Sequence, residues 1–186
     1  FYIIMAKVYE FLAEGFEDVE ALGVVDVLRR GGVDIKTVSM TESKSVTSAH
    51  GIKVEADLMF ADCDFDSADM LLLPGGMPGS TNLRDHQGLG KLLLSHYEKG
   101  KRLGAICAAP MVFGQLGILK GRKATCYPGF EKFLDGAEYT AALVQEDGNI
   151  ITGKGPAATF EYAATILAYY RGEQAAKDIL KGMMFS

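Results

Sequence analysis

Four consecutive apolar residues, Met70–Leu73, are followed at once by Pro74, Gly75 and Gly76. A strand with no polar position is typical of a parallel sheet that helices cover on both faces. The glycine pair predicts a tight turn at the carboxyl end of this strand. The run therefore favours a layered α/β fold. Because ligands bind beyond the carboxyl ends of parallel strands, it also directs attention to the residues that follow each strand.

Strand and helix patterns alternate along most of the chain. We predict strands over 7–12, 33–39, 70–73, 101–106 and 123–125, β-hairpins over 45–55 and 143–152, and helices over 17–30, 89–99, 108–116, 156–170 and 173–183. This alternation predicts a doubly wound α/β sandwich with a mostly parallel central sheet. No repeat or flexible linker divides the chain, so we expect a single domain over residues 6–186. Residues 1–5 are expected to be a short N-terminal extension or the start of the first strand.

Composition excludes several classes of protein. The 186 residues are 48% hydrophobic and 23% charged, which supports a packed core and excludes a disordered chain. A net charge of -5 without a basic run argues against a nucleic-acid partner. The apolar start is too short to span a bilayer, so no membrane partner is expected. Three cysteines are too few for a disulfide framework, which points to a reducing compartment and a cytoplasmic location.

Cys107 carries the strongest signal for chemistry. It stands where a predicted strand turns into a helix, and such a bend aims a side chain at the crevice, as in the nucleophile elbow of hydrolases. The amino end of the following helix favours thiolate over thiol. The alternative is that Cys107 is a small buried hydrophobic residue, as most cysteines are. Cys63 lies in an acidic loop without a cation that would favour its thiolate. A third and weaker interpretation is that Cys107 and Cys126 form a disulfide.

Five further residues are candidates for roles in a site around this cysteine. Gly76 and Ala108 each follow a strand, so their amides are candidates for an oxyanion hole, with Gly75 allowing the backbone to approach. Both could equally belong to ordinary turns. Glu17 and Glu20 open the first helix on one side of it. Glu20 is a candidate proton carrier with a raised pKa, although acidic residues in a first turn often serve only the helix dipole.

Two motifs imitate cofactor sites and fail. Asp62, Asp64 and Asp66 resemble a calcium loop, but the required glycine and final glutamate are absent. Glycines at 153 and 155 with an alanine at 158 imitate a dinucleotide fingerprint, but no strand and ribose-binding acid follow. We therefore expect neither a metal nor a cofactor.

Five ordered segments resemble one known family. They are AEGFEDVE at 13–20, DVLRRGG at 26–32, LLPGG at 72–76, AICAAP at 105–110 and GKGPAATFE at 153–161. These segments resemble the ThiJ/PfpI family, in the branch of the Parkinson-disease-associated protein and its bacterial relatives. The resemblance implies a flavodoxin-like sandwich that forms a homodimer, with Cys107 as the elbow cysteine and Glu20 as its carboxyl partner. Family members variously act as cofactor-independent glyoxalases, deglycases, weak peptidases, chaperones or oxidation sensors.

The chain departs from the family pattern at three positions. Ala108 follows the cysteine where the peptidase branch carries histidine, which makes a peptidase the less favoured function. Tyr127, beside Cys126, stands where the related branch has histidine, and tyrosine is a poor base at neutral pH. His50 stands where that branch places an arginine that reaches the site of the partner subunit, so it is a candidate substitute cation or simply a surface histidine.

The resemblance and the residues together predict a cysteine-dependent enzyme. Its substrate would be a small reactive carbonyl compound, with Cys107 and Glu20 catalytic, Gly76 and Ala108 forming the oxyanion hole, and Glu17, Gly75, Tyr127, Cys126 and His50 lining the pocket. The alternative is a redox sensor or chaperone-like stress protein in which Cys107 is oxidised to sulfinic acid beside Glu20.

Overall fold

The computed structural model describes residues 6–185 of the protein. The predicted extension at residues 1–5 lies outside these residues. The strands in chain order are β1 (Lys7–Leu12), β2 (Asp34–Ser39), β3 (Ser45–Thr47), β4 (Lys53–Glu55), β5 (Leu58–Met59), β6 (Met70–Leu73), β7 (Arg102–Ile106), β8 (Lys123–Ala124), β9 (Glu138–Tyr139), β10 (Val144–Asp147) and β11 (Ile150–Gly153). Within the described residues, the central sheet has seven strands in the order β10-β11-β7-β6-β1-β2-β5. Every neighbouring pair is parallel except β10 and β11.

Helices cover both faces of this sheet. They are α1 (Asp18–Arg30), α2 (Gly79–Asp85), α3 (Gln87–Glu98), α4 (Pro110–Gln115), α5 (Thr159–Arg171) and α6 (Glu173–Gly182). Because side chains alternate along a strand, β1 and β6 each contribute to two separate cores. One core packs under α2, α3 and α4, and the other packs under α1, α5 and α6. The predicted single-domain sandwich with a mostly parallel sheet is confirmed.

The strand order has the pattern of a flavodoxin-like fold. Counting only the parallel strands that alternate with the main helices, the order β2-β1-β6-β7-β11 is 2-1-3-4-5. The order reverses between β1 and β6, and a crevice forms beyond the carboxyl ends of the strands at such a point. Gly75 and Gly76 follow β6 there, and Cys107 follows the adjacent β7.

Some elements differ from the sequence prediction. The two predicted hairpins form as β3 with β4 and β10 with β11. The strand predicted at 123–125 is not part of the central sheet, because β8 pairs with β9 in a sheet of its own. The helix predicted from residue 108 begins at Pro110, and the one predicted from residue 156 begins with a 3-10 turn before α5.

The elements that the prediction missed are short and carry no period. They are α2, whose seven residues contain only one large apolar side chain, Leu83, and the two-residue strands β5 and β9. Patterns of three or four residues cannot be recognised in segments of this length. Among residues 6–185, no helix combines the length and apolarity that crossing a membrane requires.

Candidate active site

The chain bends sharply at Cys107, between β7 and α4. The φ angle of Cys107 is +65°, in the left-handed region that a side chain other than glycine rarely adopts. Two backbone hydrogen bonds hold the bend: the Cys107 amide donates to the Gly153 carbonyl at 2.9 Å, and its carbonyl accepts from the Tyr127 amide at 2.8 Å. The fold therefore keeps Cys107 in a strained conformation, and strain of this kind concentrates at functional sites.

Glu20 is a fully buried carboxyl group in the first turn of α1. Its Oε2 atom accepts a hydrogen bond of 2.9 Å from the Gly75 amide. Glu17 caps the helix, with its carboxylate accepting from the Glu20 amide at 2.7 Å. Burial raises the pKa of Glu20 to about 7, and the charge of Glu17 also raises it, against the opposing effects of Cys107 and the Gly75 amide. Glu20 can therefore hold or release a proton near neutral pH.

Gly75 lies between the sulfur and the carboxyl group. A Cβ atom added at Gly75 would overlap Glu20 Oε2 and would lie 2.5 Å from Cys107 Cβ and 3.0 Å from Cys107 Sγ. No side chain fits in this space, because real Cβ atoms do not approach other atoms so closely. The absence of a side chain at Gly75 is what brings the thiol and the carboxyl group together.

The Cys107 thiol is a weaker acid than the helix position predicts. Burial raises its pKa most, and the charge and hydrogen bonding of Glu20 raise it further, whereas the amides of Gly76 and Ala108 lower it. The amide at the helix end lowers the pKa of the thiol as expected, but burial and Glu20 outweigh it. An ionised Glu20 disfavours a second negative charge on the sulfur, so the ionisations of Cys107 and Glu20 are coupled.

Two backbone amides point to the sulfur. The Gly76 and Ala108 amides both act on the thiol, and neither donates to another backbone carbonyl in the described part of the chain. Gly76 has a φ of +90°, and an added Cβ would lie 2.5 Å from the Gly15 carbonyl oxygen. Glycine is therefore required at this position. Two free N–H donors beside a nucleophile are the arrangement that stabilises an oxyanion.

Tyr127 and Cys126, which the sequence also predicts in the pocket, differ in how far they are buried. Tyr127 is half-exposed, its amide bonds the Cys107 carbonyl, and its ring packs against Gly155. Cys126 is fully buried in the core under α2, α3 and α4, and its place in the pocket stays a prediction. Burial raises the pKa of the Cys126 thiol to about 12.

Cys107 and Cys126 form no disulfide, so the third interpretation of Cys107 is wrong. Cys63, Cys107 and Cys126 are free thiols. Burial raises the pKa of Cys63 to about 11, and the neighbouring Asp62 also raises it. Cys107 therefore differs from the other two in having free amides and a titratable carboxyl group beside it.

His50 forms a surface pair with Asp18. Its Nδ1 atom lies 2.6 Å from Asp18 Oδ2, and 68% of its side chain is exposed. This contact raises the pKa of His50. Ligand atoms of Glu17, Asp18 and His50 lie within 4.8 Å of one another, as in a metal cluster. The cap on Glu20 and the Asp18–His50 pair account for this proximity without an ion.

One buried carboxyl group near the site escaped the sequence analysis. Glu10 lies in β1 and is 1% exposed. The signal was a lone acid within a strand that is buried on both faces, which is costly and therefore informative.

Comparison with known proteins assigns the family. Residues 6–169 match the model of the DJ-1/PfpI family. Protein DJ-1 homolog B of Arabidopsis thaliana is 38% identical over 93% of this chain, and the chain spans 40% of that protein's length. A glutathione-independent glyoxalase of Caenorhabditis elegans is 31% identical, with 90% of each chain covered. A deglycase of Pyrococcus horikoshii is 32% identical over 81% of this chain and 91% of its own.

Solved structures give the same result. A DJ-1 superfamily protein from Salmonella typhimurium, solved as a cysteine-to-alanine mutant, is 34% identical with a TM-score of 0.93, covering 98% of this chain and 100% of its own. The oxidised DJ-1 of Toxoplasma gondii is 30% identical with a TM-score of 0.93, covering 97% of this chain and 98% of its own. The family match over most of the chain and this agreement in structure show that the chain belongs to the DJ-1/PfpI family.

Proposed function

We propose that this protein is a cysteine-dependent enzyme that acts on small reactive carbonyl compounds, in the manner of a glyoxalase or deglycase. The observation that carries the proposal is the strained Cys107 beside the buried Glu20, with two free amides at the sulfur. Relatives named as a glyoxalase and a deglycase support it.

The first step forms a bond between sulfur and carbon. As Cys107 attacks the aldehyde carbon of a substrate such as methylglyoxal, its proton passes to Glu20 and the carbonyl electron pair moves to the oxygen. The Gly76 and Ala108 amides hold that oxyanion until Glu20 passes the proton to it, which restores the Glu20 carboxylate. The product of this step is a hemithioacetal, and no oxidant or reductant is consumed.

The remaining steps move a proton and add water. Glu20 as a carboxylate removes the proton from the carbon bound to sulfur, and the proton returns to the neighbouring carbon through an enediol. The resulting thioester is hydrolysed by water, which releases lactate and restores the thiol. We assign to Tyr127 the donation of a hydrogen bond to the substrate, and to Glu20 the role of the base.

The test is methylglyoxal consumption by purified protein. We expect Cys107→Ser to abolish turnover and Cys63→Ser, which changes a thiol remote from the site, to leave it unchanged. Equal turnover by the wild type and Cys107→Ser would refute the assignment. A peptidase remains the less favoured alternative, since Ala108 follows the cysteine.

A redox sensor is the second candidate, favoured by the oxidised relative from Toxoplasma gondii. Two molecules of peroxide would convert the Cys107 thiol to a sulfinic acid and release two of water, with Glu20 beside the new acid. Mild peroxide followed by peptide mass measurement should then add two oxygens at Cys107 before the other cysteines react. Earlier oxidation of Cys63 would contradict the sensor role.

We also propose that the protein is a homodimer. Val19 and Leu22 on the outer side of α1 and Ile52 beside β4 are large apolar residues with 46%, 38% and 51% exposure. The Asp18–His50 contact joins these two segments, so the three side chains form one surface that a second copy can cover. A cytoplasmic location stays a prediction.

A further inference from the structure

Three buried polar groups lie on the same face of the central sheet beneath the candidate site. Glu10, Glu20 and Tyr162 are each no more than 1% exposed. Each has one polar atom with no hydrogen-bond partner among the described residues: Glu10 Oε2, Glu20 Oε1 and the Tyr162 hydroxyl. Buried polar atoms are nearly always satisfied, so three orphaned atoms in one region need an explanation.

The strand register places these groups together. In the strand register, Glu10 of β1 pairs with Leu72 of β6, and Leu72 pairs with Gly104 of β7. A Cβ added at Gly104 would overlap the Tyr162 hydroxyl and would lie 2.6 Å from Leu72 Cδ2. The Tyr162 hydroxyl of α5 therefore lies over Gly104, two strands across the sheet from Glu10. Glu20 approaches the same core from α1, together with Val24.

The ionisable groups that act on Glu10 both lie on α1. Burial is the main reason that the pKa of Glu10 is well above its usual range, and the charge of Glu20 raises it further while Arg29 lowers it. Burial also raises the pKa of Tyr162 of α5, followed by the charges of Glu10, Tyr169 and Glu20. Burial therefore favours the protonated form of Glu10, and a neutral carboxyl group is a hydrogen-bond donor.

Burial of an apolar residue at position 10 would cost less free energy than burial of Glu10 does. Burial of a carboxyl group without a partner is unfavourable, and replacement of buried polar groups by hydrophobic ones is often neutral or stabilising. A water molecule in the interior needs two to four polar partners, and the three orphaned atoms offer that number. Groups linked in this way can share protons and polarise one another.

We propose that Glu10, Tyr162 and Glu20 form one buried proton-sharing cluster, linked by water-mediated hydrogen bonds, in which Glu10 in its neutral form is a positioning residue that donates towards Glu20. The donated hydrogen bond stabilises the ionised form of Glu20, so Glu10 helps Glu20 release its proton. The idea rests on the proposed function in treating Glu20 as the proton partner of Cys107. Glu10 itself touches no reacting atom.

The consequence is a specific change in the acid-base behaviour of the sulfur. Because the ionisations of Cys107 and Glu20 are coupled, the pair loses its first proton in a single apparent step, above which the alkylation rate reaches a plateau. If the carboxyl group of Glu20 becomes a weaker acid, the apparent pKa of that step rises. The remaining proton then lies more often on the carboxyl group than on the sulfur, which increases the thiolate fraction and raises the plateau of the alkylation rate.

The experiment is the alkylation rate of the Cys107 peptide against pH in the full protein. We expect Glu10→Leu to raise the apparent pKa by about one unit, the size of one lost hydrogen bond to a charged group, and to raise the plateau. Tyr162→Phe should change both in the same direction. Glu10→Gln should stay close to the wild type, because its amide also donates. Glu161→Gln, on the exposed side of α5, is the matched control and should change nothing.

Three results would overturn the proposal. An unchanged profile in folded Glu10→Leu and Tyr162→Phe would show that the groups are not linked. A fall of the apparent pKa in Glu10→Leu would show that Glu10 acts as a charge, and an equal shift in Glu10→Gln would show that donation is not its role. Alkylation needs no turnover, so loss of the proposed carbonyl activity would leave this test intact.

Discussion

The ionisations of Cys107 and Glu20 are coupled, and this coupling governs the chemistry that Cys107 can perform. The sulfur is reactive only as a thiolate, and the charge of an ionised Glu20 opposes the thiolate. The protonation state of Glu20, whose pKa burial raises to about 7, therefore acts on the sulfur together with the amide at the start of the short helix α4. The arrangement depends on Gly75, where any side chain would separate the two groups.

Glu20 should make the stability of the protein depend on pH. Its pKa is raised from 4.5 to about 7, so the folded state holds a proton that the unfolded state has released. Stability from this proton is fully present below pH 4.5 and is lost as the pH rises through 7. We expect the wild type to lose about 3 kcal/mol more of its free energy of unfolding than Glu20→Gln does as the pH rises from 4.5 to 8.

Urea unfolding of both proteins across this pH range measures the difference. Parallel curves for the wild type and the variant would show that Glu20 titrates as in the unfolded chain.

At the scale of elements, the packing of α4, the helix that follows the bend at Cys107, depends on a glycine. Gly114 of α4 lies against the turn at Glu131–Phe133, where an added Cβ would overlap the Phe133 carbonyl oxygen and lie 3.0 Å from Leu134 Cα. Backbone atoms cannot move aside as side chains do. The close approach of these two segments therefore requires glycine at position 114.

Two glycine substitutions in helices should have opposite effects. Gly114→Ala should lower the free energy of unfolding by about 2 kcal/mol through overpacking. Gly90→Ala in α3 meets its nearest atom at 3.6 Å, an ordinary contact, and should raise it by about 0.5 kcal/mol because alanine favours the helix. Urea unfolding distinguishes the two, and destabilisation of similar size by both would contradict the packing argument.

At the scale of the whole molecule, the apolar surface on α1 and beside β4 predicts association. Sedimentation should give about twice the chain mass of 20.1 kDa. Val19→Asp places a charge in this surface and should shift the mass towards one chain, because an unpaired charge is costly to bury. Leu143→Asp, which changes an apolar residue of 40% exposure elsewhere, is the control. A monomeric wild type would refute the dimer.

Much of the architecture could be predicted from local patterns. The buried run at β6, the period of α1 and the turn at Asp147-Gly148 each depend on neighbours in the sequence, and the structure places all three as expected. The strand at β8 was also recognised, but its partner was not. Pairing with β9 joins residues 15 positions apart through short segments that have no pattern of their own.

The sequence by itself determined the alternation of strands and helices, the glycine turn after β6 and the position of Cys107 between a strand and a helix. Turn residues and hydrophobic period determine these features, and both are local. The tertiary structure decided that Cys126 enters the core, that Glu10 and Glu20 are buried on one face, and that the sulfur competes with a carboxyl group for a proton. Those features depend on contacts such as that of Gly75 with Glu20, 55 residues apart, and a local pattern does not contain the desolvation that such contacts cause.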